Sequence, residues 1–188
     1  PLEDNAMRIV GGIWAGRRLT SPGRRVRPTR EAVRAALMDT LGDHLAGARV
    51  LDLFAGTGAL GIEALSRGAA SADFVEHGAE ALHALKANVA ARKLRPLRRG
   101  QPPSAADKAA RIFKRDALPF VARLPAGAYD LAFLDPPYGS RKLDRVLTTW
   151  QATPFAPLLC VEHALDHAVP AGGRRLDFEA CAVTVYGL

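Results

Sequence analysis

The sequence predicts an α/β domain built on a doubly wound, mostly parallel sheet, with a C-terminal antiparallel hairpin and a small basic N-terminal arm. Three observations predict it. The chain has 188 residues, 48% of them hydrophobic and 24% charged. That is one globular domain in length and composition, large enough to bury roughly 70% of its unfolded surface. From Arg49 onward, short apolar runs alternate with amphipathic stretches, which is the signature of repeated βα units. The net charge of +7 is concentrated in residues 8–34, where eight arginines stand against Glu31 alone.

Taken in order, residues 1–6 read as a cloning remnant ahead of a native Met7. Residues 7–42 form the basic arm. Arg8–Gly12 and Arg17–Thr20 are expected strands around a glycine-containing turn, and Pro22-Gly23 marks a second turn. Thr29 is placed as the N-cap of a helix from about Arg30 to Leu41, with Val33, Leu37 and Leu41 on its apolar face. Residues 43–188 form the second unit. Strands are expected at Val50–Phe54, Ala72–Glu76, Arg111–Lys114, Tyr129–Leu134 and Leu158–His163. Helices are expected at Ala59–Arg67 with Gly68 as cap, Ala79–Lys93, Leu118–Leu124 and Arg141–Trp150. Arg95–Ala110, rich in proline and arginine, reads as an irregular insert. Arg174–Phe178 and Ala182–Tyr186 read as the terminal hairpin.

Composition excludes several classes. No apolar run reaches the roughly 18–20 residues that span a bilayer. The N-terminus lacks the basic and apolar regions of a signal peptide. Cys160 and Cys181 form no metal pair and no disulfide framework, so a reduced cytoplasmic setting is expected. The five histidines lie at no metal-ligand spacing, and no metal is expected; His77, next to Glu76, is the one placed near a ligand. An arginine arm on a nearly neutral body points to a polyanion, since guanidinium binds phosphate bidentately. Arg17, Arg18, Arg24, Arg25, Arg27, Arg30 and Arg34 are the candidate nucleic-acid contacts. Because the arm precedes the nucleotide-binding unit, cofactor affinity is expected not to depend on it.

Two motifs carry chemistry. Asp52-Leu-Phe54-Ala-Gly56-Thr57-Gly58-Ala-Leu-Gly61 ends a strand and opens a helix, and satisfies the dinucleotide glycine spacing. A pyrophosphate site gains nothing from a carboxylate in its turn. Asp52 instead suits a cofactor carrying an ammonium and a sulfonium, so the pattern favours S-adenosylmethionine over NAD. Glu76, ending the next strand, is the candidate ribose acceptor. Asp116, followed by Ala117, either accepts from the adenine amine or caps the next helix. The second motif is Asp135-Pro136-Pro137-Tyr138. Two prolines hold a side-chain oxygen and a backbone carbonyl rigidly, and the tyrosine offers a flat face. Together they suit a planar exocyclic amine. In a doubly wound sheet both loops open into the crevice where strand order reverses.

On these residues, and on Arg8-Ile-Val-Gly-Gly12, Gly16-Arg-Arg-Leu19 and Arg27-Pro-Thr29, the chain from Met7 to about His163 resembles the bacterial small-subunit rRNA guanine-N2 methyltransferases of the RsmD type. The resemblance implies a Rossmann-like class I methyltransferase fold, S-adenosylmethionine as cofactor, and methylation of one guanine in 16S rRNA during small-subunit biogenesis. The partner is then 16S rRNA or an assembling particle, met by a monomer. Ala35, Ala36 and Met38 depart from the family's acidic and aromatic pattern there. Three alternatives stand beside this reading: adenine-N6 methylation of nucleic acid, a non-catalytic RNA-binding assembly factor, and an NAD-dependent oxidoreductase. The last is disfavoured by Asp52 and by the lack of a hydride-site His or Tyr-Lys pair.

Overall fold

The computed structural model describes residues 6–21, 28–96 and 108–188, without side-chain placement at 28–30 and 95–96. The Pro22-Gly23 turn, Arg24, Arg25, Arg27 and the Arg30 side chain therefore lie outside the described residues.

Eight strands form one sheet: β1 (Arg49–Leu53), β2 (Ser71–Glu76), β3 (Arg95–Pro96), β4 (Ala109–Lys114), β5 (Leu131–Leu134), β6 (Leu158–His163), β7 (Arg174–Asp177) and β8 (Ala182–Tyr186). Their order is β3-β4-β2-β1-β5-β6-β8-β7. Every pairing from β3 to β6 is parallel, and β8 is antiparallel to both β6 and β7. The helices are α1 (Pro28–Leu41), α2 (Ala59–Ser66), α3 (Ala79–Ala91), α4 (Ala117–Val121) and α5 (Lys142–Ala152). The doubly wound sheet and terminal hairpin are as the sequence predicts.

Parallel strands bury both faces, and the apolar runs serve that geometry. In β1, Val50 joins the core under α1 and α2, while Leu51 and Leu53 join the core under α4 and α5. The first core also takes Met7, Ile9 and Leu19 from the arm and Val33, Leu37 and Met38 from α1.

Four elements differ from expectation. Among its described residues the arm contains one antiparallel bridge, Arg8 to Arg18, with a 3₁₀ turn at Gly12–Trp14 between the two. The backbone N–H groups of Val10 and Gly11 donate to the Glu63 carboxylate, which takes the place of a partner strand. Helix α1 begins at Pro28, so Thr29 lies in its first turn and is not the N-cap. Proline suits that opening position because it lacks the N–H a first turn leaves unpaired. Part of the expected insert is strand: β3 pairs with the start of β4 at Arg95–Ala109 and Pro96–Ala110. Its place at the sheet edge tolerates the proline. Tyr129 and Asp130 precede β5; their N–H groups donate to the carbonyls of Phe155 and Arg49.

Candidate active site

The strand order reverses between β1 and β5, and the loops leaving both strands open into one cleft. Two cavities of about 250 Å³ and about 310 Å³ meet there, sharing Phe54, Gly56 and Asp135 as walls. The first runs beneath the arm and α1 past Asp52 and Glu162. The second opens past Glu76, His77 and the Pro136–Tyr138 loop.

The loop after β1 is tightly organised. Phe54, Gly56 and Gly58 all have positive φ, at 57°, 56° and 79°. A phenylalanine in that region carries strain that the surrounding bonds must hold. Glu76 supplies much of the holding: one carboxylate oxygen accepts from Gly56 N–H at 2.9 Å, the other from His77 and Gly78 at 2.8 and 2.7 Å. Three of its roughly four acceptor positions are thus taken, and one remains for a ligand hydroxyl. Asp52, buried on β1, accepts from Gly61 N–H at 2.9 Å.

The glycines divide their roles. A side chain on Gly56 would meet only the Phe54 carbonyl at 3.9 Å, so this residue faces open cavity. A Cβ on Gly58 would strike Leu85 at 2.5 Å, and one on Gly61 would strike Phe74 at 2.5 Å. The missing side chain of Gly58 therefore serves core packing, at a backbone φ that side chains rarely adopt.

The electrostatics are those of an acidic cleft. Burial pushes the Asp52 carboxyl well above the ordinary carboxylate range, and the charges of Asp135 and Glu76 push it further; the Gly61 bond opposes them. A cationic ligand would reverse that preference. Lys142 places its ammonium 5.7 Å from the centre of the Phe54 ring. Asp116 is exposed and caps α4, accepting from Leu118 N–H at 3.1 Å, with buried Ala117 opening the helix. The cap considered for Asp116 is thus present, and it uses one carboxylate oxygen.

On the β5 side, Asp135 is half-buried, Pro136 buried and Pro137 exposed. Tyr138 is 52% exposed, its ring open to solvent and its hydroxyl donating to Glu162 at 2.8 Å. Burial and the neighbouring Glu162 charge hold that phenol above its ordinary range. Ser140 braces the turn by donating to the Pro137 carbonyl at 2.8 Å.

The arm is part of the site. Met7, Ser21, Val33, Arg34 and Leu37 line the first cavity together with Asp52 and Thr57, which corrects the premise that the arm merely precedes the nucleotide-binding unit. Asn88 of α3 joins them. Its Oδ1 accepts from Thr20 N–H at 2.7 Å, and its Nδ2 donates to the carbonyls of Thr20 and Thr57, both at 2.9 Å. Arg34 requires a second correction. It is 4% exposed and donates to the fully buried Glu63, so it is no surface phosphate contact. Arg67 pairs with the same carboxylate from the other side. Arg17 and Arg18 are exposed, as an RNA contact requires.

Sequence reasoning missed Glu63, Asn88, Lys142 and Glu162. The first two hold arm backbone 52 to 68 residues away, and those contacts leave no local signal. Glu162 could have been found, because it lies next to last in a strand parallel to β5, at the end that opens on the ligand crevice. Among the described residues, no group of three or more His, Cys, Asp or Glu could hold a metal ion, and no helix is long and apolar enough to cross a membrane.

Strand order, terminal hairpin and the two loops at the reversal point define a Rossmann-like class I methyltransferase. More narrowly, the chain belongs to the family described as conserved hypothetical protein 95, whose profile matches residues 7–171. Ribosomal RNA small subunit methyltransferase D of Escherichia coli K12 is 33% identical over 170 residues, 87% of this chain and 78% of that protein. The solved Escherichia coli protein yhhF is 32% identical with a TM-score of 0.78, covering 96% of this chain and 97% of that one. A solved hypothetical protein of Thermus thermophilus is 29% identical with a TM-score of 0.74, covering 97% of this chain and 99% of that one.

Proposed function

We propose that this methyltransferase modifies the exocyclic N2 of one guanine in 16S rRNA, using S-adenosylmethionine, during small-subunit assembly in the cytoplasm. In this reading residues 7–42 are the RNA-gripping arm and residues 43–188 carry the chemistry. One observation carries it: the Asp135–Tyr138 amine loop and a carboxylate-walled cofactor cleft share walls at Phe54, Gly56 and Asp135. The relatives named as small-subunit rRNA methyltransferases supply the substrate class.

The cleft fits the cofactor chemically. Asp52 is a buried carboxylate whose charge the fold disfavours, and an ammonium relieves it. Glu76 keeps acceptor capacity toward the second cavity for ribose hydroxyls. When bound, the cofactor supplies an electrophilic methyl on a sulfonium. The remaining work falls to the chain's own groups. The Asp135 carboxylate and Pro136 carbonyl accept the two amine hydrogens and draw the nitrogen out of conjugation with the ring. The Tyr138 ring stacks on the base, with Glu162 fixing its hydroxyl. The nitrogen becomes acidic only once methylated, and Asp135 or water then takes the proton. Rate comes mainly from alignment and placed charge. A stacked guanine cannot enter, so the base is flipped or single-stranded.

Mass mapping of 16S rRNA from cells lacking the protein tests this reading. One N2-methylguanine should disappear and return with the parent gene. Asp135→Ala should restore it about 10²–10³-fold more slowly, while Asp135→Asn, which keeps an oxygen acceptor, should retain measurable turnover. Loss of a methyladenine, or of nothing, refutes the assignment.

A further inference from the structure

The amine loop alone does not choose among bases, because adenine, cytosine and guanine all carry an exocyclic amine. The three differ in the ring atoms beside it. The adenine amine lies between two ring positions that bear no hydrogen-bond donor. The cytosine amine lies beside a ring acceptor and a C–H. Only the guanine amine has a ring N–H, at N1, next to it. An acceptor placed beside the amine site therefore favours guanine, and it opposes a lone pair in a base that lacks that hydrogen.

The structure places such an acceptor. In the β5–β6 pairing, Leu134 is opposite Val161, so the next residues outward are Asp135 on one strand and Glu162 on its neighbour. Both line the same cavity. Glu162 is held in place from the other side, since the Tyr138 hydroxyl donates to its Oε1 at 2.8 Å. The buried Cys181 lies against the same carboxylate, as its thiol, held above its ordinary range by burial and by the Glu162 charge, records. One carboxylate thus touches the stacking ring and flanks the amine acceptor. A carboxylate only accepts hydrogen bonds.

We infer that Glu162 is a specificity-determining residue that selects guanine by accepting its N1–H beside the amine held at Asp135. The inference rests on the proposed guanine-N2 methylation.

The test compares guanine with 2-aminopurine, which keeps the amine at the same ring position but has a lone pair at N1. Small-subunit particles are reconstituted with rRNA carrying either base at the mapped position, and single-turnover rates are measured with saturating S-adenosylmethionine. The parent should favour guanine by about 10²-fold or more, as sites built to bond a substrate N–H do. Glu162→Gln, whose amide can turn its NH₂ toward the lone pair, should shrink that ratio about tenfold or more. A ratio within one preparation is insensitive to its folded fraction. If the glutamine variant does not fold, Glu162→Asp, which withdraws the carboxylate by one methylene, should shrink the ratio in the same sense. Equal rates on the two bases in the parent overturn the inference. So does an unchanged ratio in the variant, which would leave Glu162 as an anchor for Tyr138 alone. Failure of the parent to methylate the guanine particle sinks the proposed function itself, and is distinguishable from both.

Discussion

Replacing Asn88 by alanine tests whether the arm and the cofactor loop are one mechanical unit. The side chain is buried and makes three hydrogen bonds, two to Thr20 of the arm and one to Thr57 of the loop. Each is worth about 1 kcal/mol net, and buried groups left without a partner cost somewhat more. The variant should therefore lose about 3–4 kcal/mol, which for a chain of this length lowers the melting temperature by roughly 6–16 °C. One of the three bonds reaches Thr57, so about 1 kcal/mol falls on the loop itself, roughly fivefold in cofactor affinity. Calorimetric unfolding, and titration with S-adenosylhomocysteine well below the variant's transition, measure the two effects separately. Asn88→Asp should fare worse, because it turns a carboxylate oxygen toward two carbonyls. A variant that melts with the parent and binds S-adenosylhomocysteine equally well would refute the coupling.

Two further outcomes follow from buried charge. Burial raises the Asp52 carboxyl, so the ligand-free fold loses stability as pH rises out of the ordinary carboxylate range near 4 through the raised value, while a cationic ligand favours the ionised form. S-adenosylmethionine affinity should thus climb with pH across that window with proton release, and Asp52→Asn should abolish the release; calorimetry in buffers of different protonation heat decides, and equal proton counts refute it. Glu63→Ala strands Arg34 as a buried unpaired cation and removes the acceptor for Val10 and Gly11, for a loss of about 3–5 kcal/mol in urea unfolding. A change below about 1 kcal/mol would mean that water reaches Arg34.

The catalytic body was legible in the sequence because its signals are local and periodic. Apolar runs such as Leu131–Leu134 and Leu158–His163 read as buried strands, and the glycine loop and the Asp-Pro-Pro-Tyr turn sit where strands end. The arm was less legible. Arg8–Gly12 has strand composition, yet two of its donors are satisfied by a carboxylate 52 and 53 residues away, so its pairing stops at the Arg8–Arg18 bridge. Arg34 reads as one more member of a basic face. Only the fold brings Glu63 to it and buries both. Strand β3 is two residues long and exists because the start of β4 lies beside it, which no window of sequence reports. Polar contacts between distant segments follow no period, and those of Glu63 and Asn88 are of this kind.

In the proposed function, those same contacts would keep the arm's hold on RNA and the chemistry in register. Glu63 lies on α2, the helix opened by the glycine loop, and Asn88 lies on α3, which follows Glu76. The two helices that follow the glycine loop and Glu76 therefore also hold the backbone of the arm at Val10, Gly11 and Thr20. Met7, Ile9 and Leu19 complete the hydrophobic core over Val50 and Phe74 in the same contact. An arm fastened only by its arginines would find the phosphates without fixing where the base falls. Fastened to α2 and α3, the arm of the proposed function would set the distance between a bound RNA backbone and the Asp135–Tyr138 loop, and that distance is a condition for in-line transfer.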